Sequence, residues 1–349
     1  MGKVSKGSIL VTGGAGFIGS HVARHVAQNG HSVIVLDDLS GGYEDNVPEG
    51  VGFIEGSILD SALLDRLFDG NKFEVVFHLA AYAAEGLSHF ARSFNYLNNV
   101  VGSMNLISRC AKYGARKFVF TSSIAVYGTN QLPMTEDLTP QPQDPYGIAK
   151  YAVEQDLAAM QKLFGLDYVV FRPHNVYGEN QNIGDPFRNV VGIFMKQILE
   201  GKKLTVFGDG SQTRSFSHID DVAPIIARSA WEPKAANQIF NIGADQPYSV
   251  TELATLVARA MDVKAEIQNL PTRMEVHHAY ADHKKVRKVF GDYKPVSLEE
   301  GLNRMARWVK KTGIRESREL PAVEVWKKLP PSWREVLLET GQVETQSRI

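Results

Sequence analysis

The sequence predicts a doubly wound α/β fold, a parallel sheet with helices on both faces, followed by a smaller mixed α/β region. Three observations carry this. Strand-like and helical segments alternate through the first half of the 349 residues, the pattern of repeated βαβ units. A turn of three glycines with two-residue gaps, Gly13-Gly14-Ala15-Gly16-Phe17-Ile18-Gly19, follows an apolar strand and opens a helix. An acidic pair, Asp37-Asp38, closes the next strand.

The first strand is read over residues 7–12. In such a turn one glycine permits the tight bend, one lets the backbone approach a pyrophosphate, and one lets helix and strand pack closely. The helix from Phe17 to about Asn29 points its free N–H groups and positive dipole end at phosphates. Strand two, residues 31–36, delivers Asp37. A carboxylate there accepts hydrogen bonds from ribose hydroxyls and repels an added 2′-phosphate, so NAD rather than NADP is the expected cofactor of this Rossmann unit.

Further strands are predicted at 51–54, 75–79, 117–121 and 167–171, with helices at 62–68, 98–113 and 145–163 between them. The second half changes character. A helix is expected over 189–200, a strand over 204–207, and a helix capped by Asp220 running to about Trp231. Ser249 with Glu252, and Ser297 with Glu300, form capping boxes that open two more helices. The expected division is a dinucleotide-binding domain over 1–175 with a returning segment at about 215–242, a second domain over 176–214 and 243–315, and a tail over 316–349. Trp326 and Trp333 are expected to dock that tail, and its polar end from Gly341 is expected to fray.

The formal net charge is −1, which argues against nucleic acid or an anionic membrane as partner. No apolar run approaches a membrane span, and Met1 to Lys6 lacks a signal-peptide core. Cys110 is the sole cysteine, so no intrachain disulfide forms; a reducing, cytoplasmic location is expected. Its place in a helix reads as a small buried thiol. No cluster has zinc spacing. His277 and His278 are read as neighbours on opposite sides of an extended chain, and His78 as a strand-end histidine.

The chemistry concentrates at three residues. Asp144-Pro145 is a helix start, with Asp as N-cap and Pro at the first position. Tyr146 then lies in the first turn and Lys150 one turn later on the same face. The strand ending Thr121-Ser122-Ser123 brings Ser123 to the same sheet edge. Oxidising a secondary alcohol requires removal of its hydroxyl proton while hydride leaves the carbon. A lysine ammonium ~5 Å from a phenol supplies roughly 3 kcal/mol at an effective dielectric of ~20, about two pKa units. Tyr146 is thereby read as general base, with Ser123 holding the same oxygen.

With these residues, His78-Leu79-Ala80-Ala81, Ser122 to Gly128, Arg172 to Gly178 and Phe207-Gly208-Asp209-Gly210-Ser211-Gln212-Thr213-Arg214, the chain resembles extended short-chain dehydrogenase/reductases over about Gly7 to Lys310. Within them it looks most like UDP-glucose 4-epimerases and their relatives. The resemblance implies a UDP-sugar substrate and NAD held by Gly13, Gly16, Phe17, Ile18, Gly19, Asp37, Asp38, Ser57, Ile58, Leu79, Ala80, Ala81, Asn99, Ser122, Tyr146, Lys150 and Pro173. It implies that Glu85, Ser123, Asn175, Phe207, Arg214, Arg273 and Glu275 face the substrate, Arg214 neutralising a phosphate. It further implies epimerisation at C4 through a transient 4-keto sugar, and a homodimer joined by a four-helix bundle of 98–113 and 145–163.

The chain departs from that pattern in places. Ser57 stands where an aspartate is usual, and Ala83-Ala84-Glu85 where a lysine is frequent. Arg214-Ser215-Phe216 replaces the commoner Arg-Asp-Phe. Glu85 facing the sugar disfavours a carboxylated substrate, and Ala279 is read near the position that gates the C2 substituent. Rival readings within the fold are 4,6-dehydratases and glucuronate epimerases or decarboxylases. The dehydratases and decarboxylases place acids after the serine, where this chain has Ile124-Ala125. A rival of another class is a non-catalytic NAD-binding scaffold, against which the retained Tyr146 and Lys150 argue.

Overall fold

The computed structural model describes residues 8–317 and 320–343. Its centre is a seven-stranded sheet of β1 (Ser8–Thr12), β2 (Val33–Asp37), β3 (Gly52–Glu55), β4 (Phe73–His78), β5 (Lys117–Thr121), β6 (Asp167–Pro173) and β7 (Gln238–Ile242). The order across the sheet is 7-6-5-4-1-2-3 and every pairing is parallel. The order reverses between β1 and β4, which opens a crevice beyond their carboxyl ends.

The central residues of most strands are apolar because both sheet faces are covered. Ile9, Val11, Val35, Phe77 and Phe171 point to one face and Leu10, Leu36, Val76, Phe120 and Val170 to the other. Helices α1 (Phe17–Gln28), α2 (Ser61–Gly70), α3 (Gly102–Tyr113) and α4 (Pro145–Phe164) belong to this layer. The second region holds α5 (Val190–Leu199), α7 (Val250–Ala260) and α8 (Leu298–Thr312) around a separate core that includes Phe194, Leu253 and Leu302. Between α5 and α7 the chain returns through α6 (Ile219–Ser229), which packs against α1, and through β7. A last helix, α9 (Pro331–Glu339), lies in the tail. No helix among the described residues is long and apolar enough to cross a membrane.

Several local readings change. His218, not Asp220, caps α6; its ring accepts from the Asp220 N–H, leaving Asp220 inside the first turn. Strand β7 was not among the expected strands; its two amide residues break the apolar run. The expected helix 98–113 is α3 preceded by a π turn, Leu97–Val101, which carries Asn99. The His277 and His278 rings are not on opposite sides but meet edge to face, 4.3 Å apart. Residues 1–7 and 344–349 lie outside the described residues, and with them Met1 to Lys6 and most of the polar end.

Candidate active site

The carboxyl edge of the sheet and the second region enclose one cleft of about 1070 Å³. At its dinucleotide end Gly13 has φ +71°, and a Cβ there would stand 2.5 Å from the Ala80 nitrogen. The glycine turn and the loop after β4 therefore touch backbone to backbone. No side chain caps Gly16 and the first turn of α1 contains no acidic residue, so its N–H groups face the cleft free for a diphosphate. Asp37 is buried; its carboxylate accepts from the Ala15 N–H (3.0 Å) and the Leu39 N–H (2.9 Å). Burial holds its carboxyl above the ordinary value. Asp38, Ile58, Leu79, Ala80, Ala81 and Pro173 also line this end. The donor set and the glycine cradle fit NAD.

The middle of the cleft is built by α4 and β5. Asp144 accepts from the Gly147 N–H at 2.8 Å and caps α4. Tyr146 follows in the first turn, buried, its N–H donating to Ser88 Oγ at 3.2 Å. Ser123 leaves the end of β5, caps the short turn Ile124–Tyr127 and lines the same cleft as Tyr146. Lys150 Nζ lies 5.7 Å from the centre of the Tyr146 ring and donates to the Thr121 carbonyl at 2.8 Å. Burial pushes Lys150 down to about 7. Burial, with the Asp144 and Glu85 carboxylates, pushes Tyr146 above its ordinary value against the opposing pull of Ser123. The expected lowering of the phenol by an ammonium does not appear, because burial acts on both groups, raising Tyr146 and lowering Lys150.

The far end carries the second region's charges. The Arg214 guanidinium donates to the carbonyls of Thr213 (2.9 Å), His277 (2.9 Å) and Val276 and lies 3.6 Å from Glu275. Arg273 bonds Glu275 at 3.2 Å and stacks on the Phe207 ring, 4.4 Å from its centre. Asn175 adopts φ 41° and donates to the Ser215 carbonyl. Glu85 opens onto the cleft between these groups and Asp144; the enclosing walls raise its carboxyl, against the pull of Arg214 and Arg273.

A family model, NAD-dependent epimerase/dehydratase, matches residues 9–243. The chain belongs to the NAD-dependent epimerase/dehydratase family. A putative UDP-glucose 4-epimerase of Methanocaldococcus jannaschii is 37% identical over 309 residues, 86% of this chain and 98% of that one. The UDP-glucose 4-epimerase of Mycolicibacterium smegmatis is 37% identical over 303 residues, covering 84% and 95%. A crystal structure of the Thermotoga maritima UDP-glucose 4-epimerase with UDP-glucose superposes with a TM-score of 0.82 at 38% identity, covering 87% of this chain and 99% of that one.

In this epimerase/dehydratase the cleft collects the expected residues with three exceptions. Ser57 turns away and accepts from the Leu59 N–H. Asn99 is buried behind the cleft, where its side chain bonds both the N–H and the carbonyl of Tyr82. Ala279 packs with Val126, Tyr127 and Met134 and does not line the cleft. Groups missed in the sequence include Glu154, which accepts from Ser122 Oγ at 2.5 Å and from Arg172 at 2.5 and 3.0 Å. Its spacing was the available signal, since Tyr146, Lys150 and Glu154 recur every four residues on one helix face. Asp144, read only as a cap, lines the cleft and is raised to about 7 by burial and by Glu85. Arg188, paired with Asp185 at 2.9 Å and 4.7 Å from the centre of the Tyr82 ring, gave no sequence signal.

Proposed function

We propose that this enzyme interconverts a UDP-hexose and its C4 epimer, with UDP-glucose and UDP-galactose or their N-acetyl forms as the substrates. The observation that carries the reading is the meeting of Tyr146, Ser123 and Lys150 in one cleft whose far end holds Arg214 and Arg273. Bound NAD supplies a reversible hydride acceptor at the sugar carbon. Tyr146 takes the 4-hydroxyl proton and later returns it, while Ser123 fixes that oxygen. Lys150, held by the Thr121 carbonyl, sets the charge beside the phenol. The two arginines hold the diphosphate while the 4-keto sugar turns over.

Ile124 and Ala125 follow the serine, and neither supplies an acid. The cleft carboxyls Glu85 and Asp144 come from other elements, and they are the acids a dehydratase reading would use. Incubation with UDP-, GDP-, CDP- and dTDP-sugars, with products resolved by chromatography, tests the assignment. Conversion of a UDP-hexose to its C4 isomer supports it. Loss of water or carbon dioxide selects a dehydratase or decarboxylase, and no turnover at all selects the scaffold.

The same reading includes the domain division given above, a cytoplasmic site of action and a homodimer. Leu97, Val101, Ile148, Leu163 and Phe164 are exposed apolar side chains in and around α3 and α4, which supports pairing of these helices with a second copy.

A further inference from the structure

The resemblance ends near Lys310, and relatives that use 98–99% of their own length match only 86–87% of this chain. The segment beyond runs back across the cleft. Arg315 lies on the Tyr43 ring, and Glu324 accepts from the N–H and the hydroxyl of Ser93. Trp326, Leu329 and Leu337 are buried against Leu87 and Ala91. This packing delivers the Trp333 indole to the substrate end, edge to face with Phe187 (5.4 Å) and Phe207 (6.1 Å). A side chain at position 86 would leave it no room, since a Cβ on Gly86 would stand 2.7 Å from the indole.

Arg273 lies between the two aromatic rings, 4.4 Å from the centre of Phe207 and 5.3 Å from that of Trp333. It sits on an irregular stretch between the strands Ile267–Leu270 and His278–Ala279. A long side chain there is costly to order, and flanking ring faces favour a cation and restrict its rotamers. Its Nε is buried without a hydrogen-bond partner while Glu275 holds one terminal nitrogen. With one terminal nitrogen on Glu275 and a ring on either side, the guanidinium is held in one pose at the cleft.

We infer that Trp333 is a positioning residue for substrate: the C-terminal segment clamps Arg273 against Phe207 and so presets the site for a nucleoside diphosphate. The inference rests on the reading of the far end as the diphosphate site. Trp333→Ala should weaken UDP binding, measured by calorimetry on the NAD-loaded enzyme, by about tenfold and raise KM for the UDP-sugar alike. The kcat should stay within about twofold, because Tyr146 and Ser123 are untouched. Trp333→Phe, which keeps a ring face, should recover most of the affinity. Should the alanine variant not fold, Gly86→Ala removes no core side chain, displaces the indole and should shift UDP affinity the same way. Unchanged UDP affinity and KM in a folded Trp333→Ala or Gly86→Ala protein would overturn the inference, as would tighter binding, which would make the segment an obstruction. Wild-type enzyme that binds no UDP overturns the diphosphate reading itself and this inference with it.

Discussion

Lys150 faces the Tyr146 ring from one helical turn away, yet its Nζ bonds the Thr121 carbonyl at 2.8 Å. The lysine is therefore anchored to the end of β5, in the cleft that Tyr146 and Ser123 also line. This geometry separates two roles that sequence spacing alone merges. In the proposed mechanism proton exchange with substrate falls to the phenol, while the position of the lysine is fixed by the sheet.

The role of the phenol is tested by Tyr146→Phe. The substitution removes one oxygen and keeps the ring, so packing in the first turn of α4 is preserved. Turnover should fall by about 10²–10⁴-fold, the usual contribution of a positioned base. Bound NAD, measured by absorbance after denaturation, should remain at the wild-type level. Wild-type turnover in the variant would remove the base assignment.

The buried ionisable groups predict a pH dependence of stability with two limbs of opposite sign. Asp144 is raised from 3.8 to about 7, so the folded state binds more protons in that window and stability falls as pH rises through it. Lys150 is lowered from 10.5 to about 7, so the unfolded state binds more protons above 7 and stability rises with pH from about 7 to 10.5. Their combined contribution is least near neutrality. Each limb is worth a few kcal/mol at most, at about 1.4 kcal/mol per pKa unit. Asp144→Asn, which keeps an N-cap acceptor, should flatten the acid limb, and Lys150→Met the alkaline limb. Denaturant midpoints across pH read this directly. Limbs that persist in both variants would assign the dependence to other groups.

One turn beyond Lys150, the Glu154 carboxylate is gripped by Arg172 while also accepting from Ser122, and both partners of the pair are almost fully buried. Removing one partner strands a charge out of water. Glu154→Gln should lower stability by about 3–5 kcal/mol, while the double change Glu154→Met with Arg172→Met should cost much less. A double-mutant cycle on denaturation midpoints measures the difference. Equal losses in the single and double variants would refute the stranded-charge account.

The parts of the site that were legible in the sequence are those fixed by local rules. Gly13, Gly16 and Gly19 announce a turn because backbone geometry demands them there. Asp144-Pro145 announces the helix that carries Tyr146, because capping and proline placement are local. Strand β5 was read to its last residue for the same reason, with Ser123 following it. Arg188 and Trp333 were not legible as site residues because nothing near them in the chain marks their destination. They arrive by long-range packing, Arg188 against Tyr82 and Trp333 against Gly86. Lys150 lines the cleft as expected, but the downward push of burial on its ammonium was not legible, since desolvation depends on every element around it.

Two glycines with nearly the same backbone allow steric and conformational costs to be separated. Gly13 has φ +71° and Gly114 has φ +76°, so alanine is strained at both by about 1–2 kcal/mol. At Gly114, the end of α3, nothing lies within 4 Å of an added Cβ. At Gly13 the Cβ would stand 2.5 Å from the Ala80 nitrogen and 2.8 Å from the Leu79 carbonyl carbon, both backbone atoms that cannot swing away. Gly114→Ala should therefore cost only the strain and leave NAD bound. Gly13→Ala should force the turn from the loop after β4, lose NAD during purification and unfold at lower denaturant. Equal stability and equal NAD content in the two variants would mean that backbone contact between these loops does not shape the dinucleotide cradle.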